Sequence, residues 1–352
     1  MQSLTFTCPD DWHLHVRDDR ALNTVVPHSA RQFARAIIMP NLKPPITTAA
    51  MALAYRRRIL EAVPEENHFE PLMTLYLTES TTHDDVRAAA ESPYIHAFKL
   101  YPAGATTHSD AGVKRLDRIF PILETMQRLD LPLLVHGEKT DPEIDLFDRE
   151  KAFIDDELTS IIKRFPALRI VFEHATTRDA VQFVTEAAPN IAATITPQHL
   201  LYNRNALFED GIRPHRYCLP ILKRETYRKA LIAAATGESR KFFLGTDSAP
   251  HPQQLKESSC GCAGCYTAHA ALELYAELFE KAGALDKLEG FASFYGPDFY
   301  RLPRNSGTIT LEKRPWQVPA HYPFADQTLI PLKAGECLAW KCIGKSEAPP
   351  AS

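Results

Sequence analysis

The residues most able to do chemistry are four histidines, a lysine and an aspartate. They are His13-Leu14-His15, with Arg17 two positions on, then Lys99, His136, His174 and Asp247. Imidazoles and carboxylates are ligands for a borderline metal such as zinc. Along an extended strand, alternation throws His13 and His15 to one side and Leu14 to the other, so both imidazoles could chelate one ion. Composition tempers this, because 14 histidines would give about half a His-x-His pair by chance. Lys99, in His96-Ala-Phe-Lys-Leu-Tyr101, alternates with Phe98 and Leu100 and so points into an interior. Burial there lowers its pKa, and the neutral amine can add carbon dioxide to become an anionic, bidentate carbamate. A lysine that snorkels to a polar rim, or pairs with a carboxylate, fits the same position. His136 and His174 close very apolar runs and could be backbone-bonded core histidines, and Asp247 could cap the segment that follows it.

The elements that must bring these groups together are legible as a rhythm. Eight short apolar or β-branched segments run near residues 12–16, 36–40, 72–78, 96–101, 131–136, 168–174, 191–197 and 241–247. Most are followed by an amphipathic stretch, as at 50–62, 116–129, 155–165, 178–186 and 227–235. Repeated β-α units predict the α/β class, and eight is the number that closes a (β/α)8 TIM barrel, whose site lies at the carboxyl ends of the strands. All the candidate ligands fall at such ends. One domain over 1–345 is expected, with 303–345 as a Pro-rich C-terminal extension of short strands packed on the barrel and 346–352 as a disordered tail.

With 40 basic against 44 acidic residues and no long single-sign run, nothing marks a partner such as nucleic acid or an anionic membrane; a small-molecule substrate is expected. The first residues lack the basic-then-apolar pattern of a secretory signal, and no apolar run nears the ~20 residues of a membrane span, so a cytoplasmic protein is expected. Seven cysteines then read as reduced thiols.

Taken in order, His13-Leu-His15 with Arg17, Asn41 in Met39-Pro-Asn41, Lys99 in Phe98-Lys-Leu-Tyr101, His136-Gly-Glu138, Glu173-His174, and Gly245-Thr-Asp247 with His251 resemble the signature set of the amidohydrolase superfamily. From residue 4 to about residue 300 the details are similar to its family of short, bacterial-type dihydroorotases. That resemblance implies a zinc enzyme of pyrimidine biosynthesis that reversibly hydrolyses dihydroorotate to carbamoyl aspartate. It implies two Zn2+ per subunit, bridged by Lys99 as N6-carboxylysine. One is held with His13, His15 and Asp247, the other with His136 and His174, and Asp247 is the catalytic base and acid. It further implies that Arg17, Asn41 and His251 bind the substrate carboxylate, that His136 also faces the substrate, and that backbone groups of Leu219 and Ala263 meet the ring. Thr106 and Thr107, in Tyr101-Pro-Ala-Gly-Ala-Thr-Thr107, would sit on a lid loop, and the assembly would be a homodimer. Arg17 could instead pair with Asp18 or Asp19.

Cys260-Gly-Cys262-Ala-Gly-Cys265, with Cys218, could supply four thiolates. Lacking a second Cys-x-x-Cys pair, the stretch reads equally as a Gly-rich loop approaching ligand near Ala263. The competing functions are another cyclic-amide hydrolase of the hydantoinase, dihydropyrimidinase or allantoinase kind, and a silent barrel acting as a partner protein. The first usually draws a β-sandwich from about fifty residues ahead of the barrel, where only a dozen precede His13; the second predicts broken ligands. No large β-sandwich domain is expected here.

Overall fold

The computed structural model describes residues 2–259 and 261–346. After β1 (Ser3–Thr7), eight parallel strands follow in chain order as one sheet: β2 (Asp10–Leu14), β3 (Arg35–Ile38), β4 (Glu70–Leu77), β5 (Ile95–Leu100), β6 (Leu133–Val135), β7 (Ile170–Phe172), β8 (Ile191–Ile195) and β9 (Phe242–Leu244). Strands covered on both faces should be apolar throughout. Leu133-Leu-Val135, Ile170-Val-Phe172 and Phe242-Phe-Leu244 are buried at every position. The intervening helices form the outer ring, several started by a threonine whose hydroxyl takes a free N–H of the first turn. Thr48, Thr82 and Thr177 accept from Met51, Asp85 and Ala180 in this way.

Closure comes from the residues just beyond β9. Asp247 N–H donates to His13 O at 2.8 Å and His15 N–H to Ser248 O at 3.1 Å, which ties the last strand to the first. Inside the barrel the first inward layer is Trp12, Ile37, Leu72, Ala97, Leu134, Val171, Ala192 and Phe243. Tyr300, from the helix Tyr295–Tyr300, seals it from below, stacked on Trp12 with centroids 4.5 Å apart. The next inward positions carry Thr74, Lys99, Glu173 and Thr194, all buried. The interior thus changes from apolar to polar within one turn of the strand period, just beneath the mouth.

The C-terminal segment carries the short strands the sequence suggested. β10 (Thr308–Glu312) pairs antiparallel with β1 on one side and with the last strand, Lys341–Ser346, on the other. Between them β11 (Trp316–Gln317) pairs with β14 (Cys337–Leu338) and β12 (Tyr322–Phe324) with β13 (Gln327–Leu329), which makes the last strand β15. Ser346 closes β15 opposite Thr308; the rest of the expected tail, 347–352, lies outside the described residues, as does Cys260. Among the described residues no helix is long and apolar enough to cross a membrane.

Candidate metal centre and substrate pocket

His13 and His15 meet, though not for the reason simple alternation gives. β2 ends at Leu14, and its register against β3 slips between Asp11 and Leu14. That irregularity lets Trp12 and His13 both contribute to the interior while His15 follows on a segment held by Ser248. Nε2 of His13 and Nε2 of His15 lie 3.3 Å apart, and Asp247 Oδ1 lies 3.3 Å from the first and 3.2 Å from the second. Zinc–ligand bonds of about 2.0–2.1 Å in a tetrahedron put the ligand atoms about 3.3–3.4 Å apart, so the triangle fits one face of such a site. Among the described residues this is the one group of three or more His, Cys, Asp or Glu ligand atoms drawn so close.

Electrostatics point the same way. Burial pushes His13 down, but Glu173 and Asp247 outweigh it and lift its pKa to about 9; burial drives His15 to about 3. Burial pushes the Asp247 carboxyl up, yet His13 and His15 hold it well below the usual carboxylate range. Two carboxylates thus favour positive charge at the spot where neutral imidazole lone pairs converge, and a cation satisfies both.

Lys99 points inward and is wholly buried, and among the described residues its Nζ has no hydrogen-bond partner. Burial lowers its pKa to about 8. An orphaned buried amine is costly, whereas a carbamate at that nitrogen would present oxygens to the neighbouring imidazoles. His136 and His174 stand edge to face with centroids 4.7 Å apart, and His174 is 5.1 Å from His13. Burial lowers the pKa of both, leaving neutral imidazoles, and Nδ1 of His174 is unpartnered. The second trio therefore suits a second cation once Lys99 is anionic. Arg17, His174 and Asp247 adopt left-handed backbone at φ 60°, 42° and 44°, a conformation non-glycine residues hold where the surroundings enforce it, often at sites of function.

Three carboxylates that sequence reading gave no role hold this arrangement in place. Glu173 is wholly buried; its Oε2 accepts from His13 Nδ1 and, at 3.3 Å, from Thr194 Oγ1. A carboxylate on Nδ1 fixes the tautomer that leaves Nε2 free to ligate. Glu138 takes the other nitrogen of His136, at 2.9 Å from Nε2, which leaves Nδ1 of that ring free to ligate. Asp11 accepts from His13 N–H, Thr246 N–H and Thr246 Oγ1 at 3.1, 2.8 and 2.5 Å, fastening both sides of the barrel seam. Gly245 is required beside them, since a Cβ there would lie 2.7 Å from Thr194 Cβ.

The cavity above is lined by His13, His15, Arg17, Asn41, Tyr101, Thr106, Thr107, His136, His174, Leu219, Asp247 and Ala263. Arg17 does not pair with Asp18, which binds Arg58 instead. Its Nε donates to Pro250 O at 2.9 Å and its Nη2 lies 2.8 Å from His251 Nε2. Asn41 Nδ2 donates to Thr107 O at 3.2 Å, and Thr107 Oγ1 lies 3.4 Å from Ala263 O and 3.3 Å from Ala263 N. The threonine loop is therefore docked across the mouth onto the opposite wall. Cys218 and Cys265 are buried and Cys262 is half-buried.

A buried His–His–carboxylate triangle at the carboxyl mouth of a (β/α)8 barrel defines a metal-dependent hydrolase scaffold. Residues 6–325 match the amidohydrolase family. The dihydroorotase of Cupriavidus necator is 64% identical over 340 residues, covering 97% of this chain and 99% of the relative. Crystal structures of dihydroorotases superimpose over nearly full length. That from Campylobacter jejuni has a TM-score of 0.88 at 36% identity and covers 97% of both chains. That from Saccharomyces cerevisiae, in complex with 5-fluoroorotic acid, has 0.90 at 33% and covers 100% of both. The chain belongs to the amidohydrolase family and, within it, to the dihydroorotases.

Proposed function

We infer that the protein is a dihydroorotase that hydrolyses the ring amide of dihydroorotate to carbamoyl aspartate, reversibly, in pyrimidine biosynthesis. The observation that carries this reading is the triangle of His13, His15 and Asp247 lining one cavity with Arg17, whose guanidinium is braced by His251. We assign His13, His15 and Asp247 as the residues that would hold one zinc ion and His136 and His174 as those that would hold a second, with Lys99, as a carbamate, contributing to both. A bound pair of this kind polarises the scissile carbonyl and acidifies the attacking water toward neutral pH.

The chain's own residues do the rest. Asp247, whose Oδ1 faces the two imidazoles, takes a proton from the attacking water on its other carboxylate oxygen and returns it to the departing ring nitrogen. Its strongly depressed pKa, set by His13 and His15 against burial, keeps it ionised to begin each cycle. Arg17 and His251 face the ring carboxylate, with Asn41 beside them, and His136 lies across the cavity. Backbone groups of Leu219 and Ala263 meet the ring edge, and Thr106 and Thr107 close over it and keep water out. The protein acts on a small molecule as a cytoplasmic homodimer in this reading.

Assaying the zinc-loaded enzyme side by side on dihydroorotate, hydantoin, dihydrouracil and allantoin tests the assignment. Efficient turnover is expected only for the ring that bears a carboxylate. Equal or better kcat/KM on an uncarboxylated ring would replace it with a hydantoinase-like activity.

A further inference from the structure

Lys256 is a buried ammonium that the chemistry above does not use. Among the described residues it has no carboxylate partner; instead Nζ donates to three backbone carbonyls, Tyr217 O at 2.7 Å, Cys262 O at 2.8 Å and Gly264 O at 2.7 Å. All three of its N–H donors are thereby spent, and only 4% of the residue is exposed. Burying a charge is costly unless its bonds are complete, so this position is built around the ammonium.

The three acceptors sit beside cavity-lining residues: Cys262 and Gly264 on either side of Ala263, and Tyr217 two positions before Leu219. In a trans peptide the C=O and the following N–H point in opposite directions. Cys262 O is pulled toward Lys256, so the N–H of Ala263 in the same peptide unit faces away from it, toward Thr107 Oγ1 at 3.3 Å. Gly264 N–H donates to Tyr217 O at 3.0 Å, and Tyr217 O is itself held by Lys256. The carbonyl of Ala263, which shares that second peptide unit, is therefore also turned outward, where it meets His251 Nε2 at 3.1 Å and Thr107 Oγ1 at 3.4 Å. Gly264 allows the fit: a Cβ there would lie 2.6 Å from Ala249 O, at a φ of 148°.

We propose that Lys256 is a positioning residue for substrate recognition: by clamping the peptide units on either side of Ala263 it presents that residue's N–H and C=O together to the cavity, as a donor–acceptor pair complementary to the C=O and N–H edge of a cyclic ureide. The ammonium also draws electron density from the Cys262–Ala263 peptide, which strengthens Ala263 N–H as a donor. This rests on the reading of the protein as a dihydroorotase. Because Lys256 touches no metal ligand, the clamp acts on binding of the ring and not on bond cleavage.

The test is steady-state kinetics with dihydroorotate on the zinc-loaded wild type, Lys256→Met and Lys256→Gln, with metal content measured on each. KM should rise about tenfold or more in Lys256→Met, with kcat within about threefold of wild type and metal content unchanged. Lys256→Gln, which keeps two N–H donors, should fall between. A role confined to stability would lower the melting temperature and leave KM alone. Unchanged KM in either folded variant, or kcat falling with metal content, overturns the proposal; should the methionine variant be insoluble, KM of the glutamine variant decides. A wild type that does not turn over dihydroorotate would overturn the functional reading itself, a result separate from any difference between variants.

Discussion

Replacing Glu173 by glutamine isolates what the carboxylate behind His13 does. The side chain keeps its size and its contact with Thr194 Oγ1 but loses the charge that makes His13 Nδ1 the protonated nitrogen. Glutamine can turn its amide N–H toward Nδ1, which moves the ring proton to Nε2, the atom that lies 3.3 Å from Asp247 Oδ1. A protonated Nε2 cannot ligate. Glu173 is wholly buried, so solvent does not screen the interaction, and a hydrogen bond to a charged group contributes about 1.5–3 kcal/mol. At about 1.4 kcal/mol per decade this amounts to roughly a 10–150-fold loss, in the range found when the outer partner of a metal-bound histidine is removed. The assay is competition for zinc against a chelator of known affinity, with kcat measured at saturating metal. Metal affinity should fall by that factor and turnover should recover partly at high zinc. If Glu173→Gln binds zinc and turns over like wild type, the argument that this carboxylate sets the tautomer of His13 is wrong.

Arg17→Met should raise KM for dihydroorotate by about 30–150-fold while kcat changes far less, as expected for loss of a charge-assisted carboxylate contact; steady-state kinetics read it, and an unchanged KM would place the carboxylate elsewhere. Because burial brings Lys99 to a pKa of about 8, its neutral, nucleophilic form grows as pH rises through 8. Metal-free protein in 13C-bicarbonate should therefore show a carbamate resonance that strengthens over that range and is missing from Lys99→Ala, and a resonance indifferent to pH or to the substitution would contradict it. Ring opening creates a carboxylate and releases one proton, so the equilibrium ratio of closed to open ring should rise about tenfold for each unit the pH falls between 8 and 6, as followed by the ultraviolet absorbance of the ring; a ratio that stays flat would mean a different reaction.

Much of this was legible in the sequence because strand alternation is a strong rule. It placed Phe98 and Leu100 outward and Lys99 inward, and both placements hold. The same rule paired His13 with His15 on one face of a longer strand, whereas the strand stops at Leu14 and a register slip brings the imidazoles together. No local pattern announces a slip. Glu173 was within reach, since alternation from Val171 puts it inward just past the end of β7, but a lone acid after a strand reads equally as a cap. Lys256 was out of reach, because its partners are carbonyls from segments up to 39 residues away and carbonyls leave no signature in residue type. The join of β1 to β10 was hidden for the same reason: Ser3 meets Glu312, and antiparallel edge pairing over that span leaves no periodic trace.

That join sets an order of events during synthesis. The segment Ser3–Thr7 emerges from the ribosome roughly 300 residues ahead of the strand it must pair with, which at about 5–20 residues per second is some 15–60 s of waiting. Trp12, one position before His13, likewise lacks its stacking partner Tyr300 for almost as long. A nascent chain that already carries all six side chains proposed to hold metal therefore still has an open floor beneath them, and a chain ending short of residue 300 would be a barrel without its stopper.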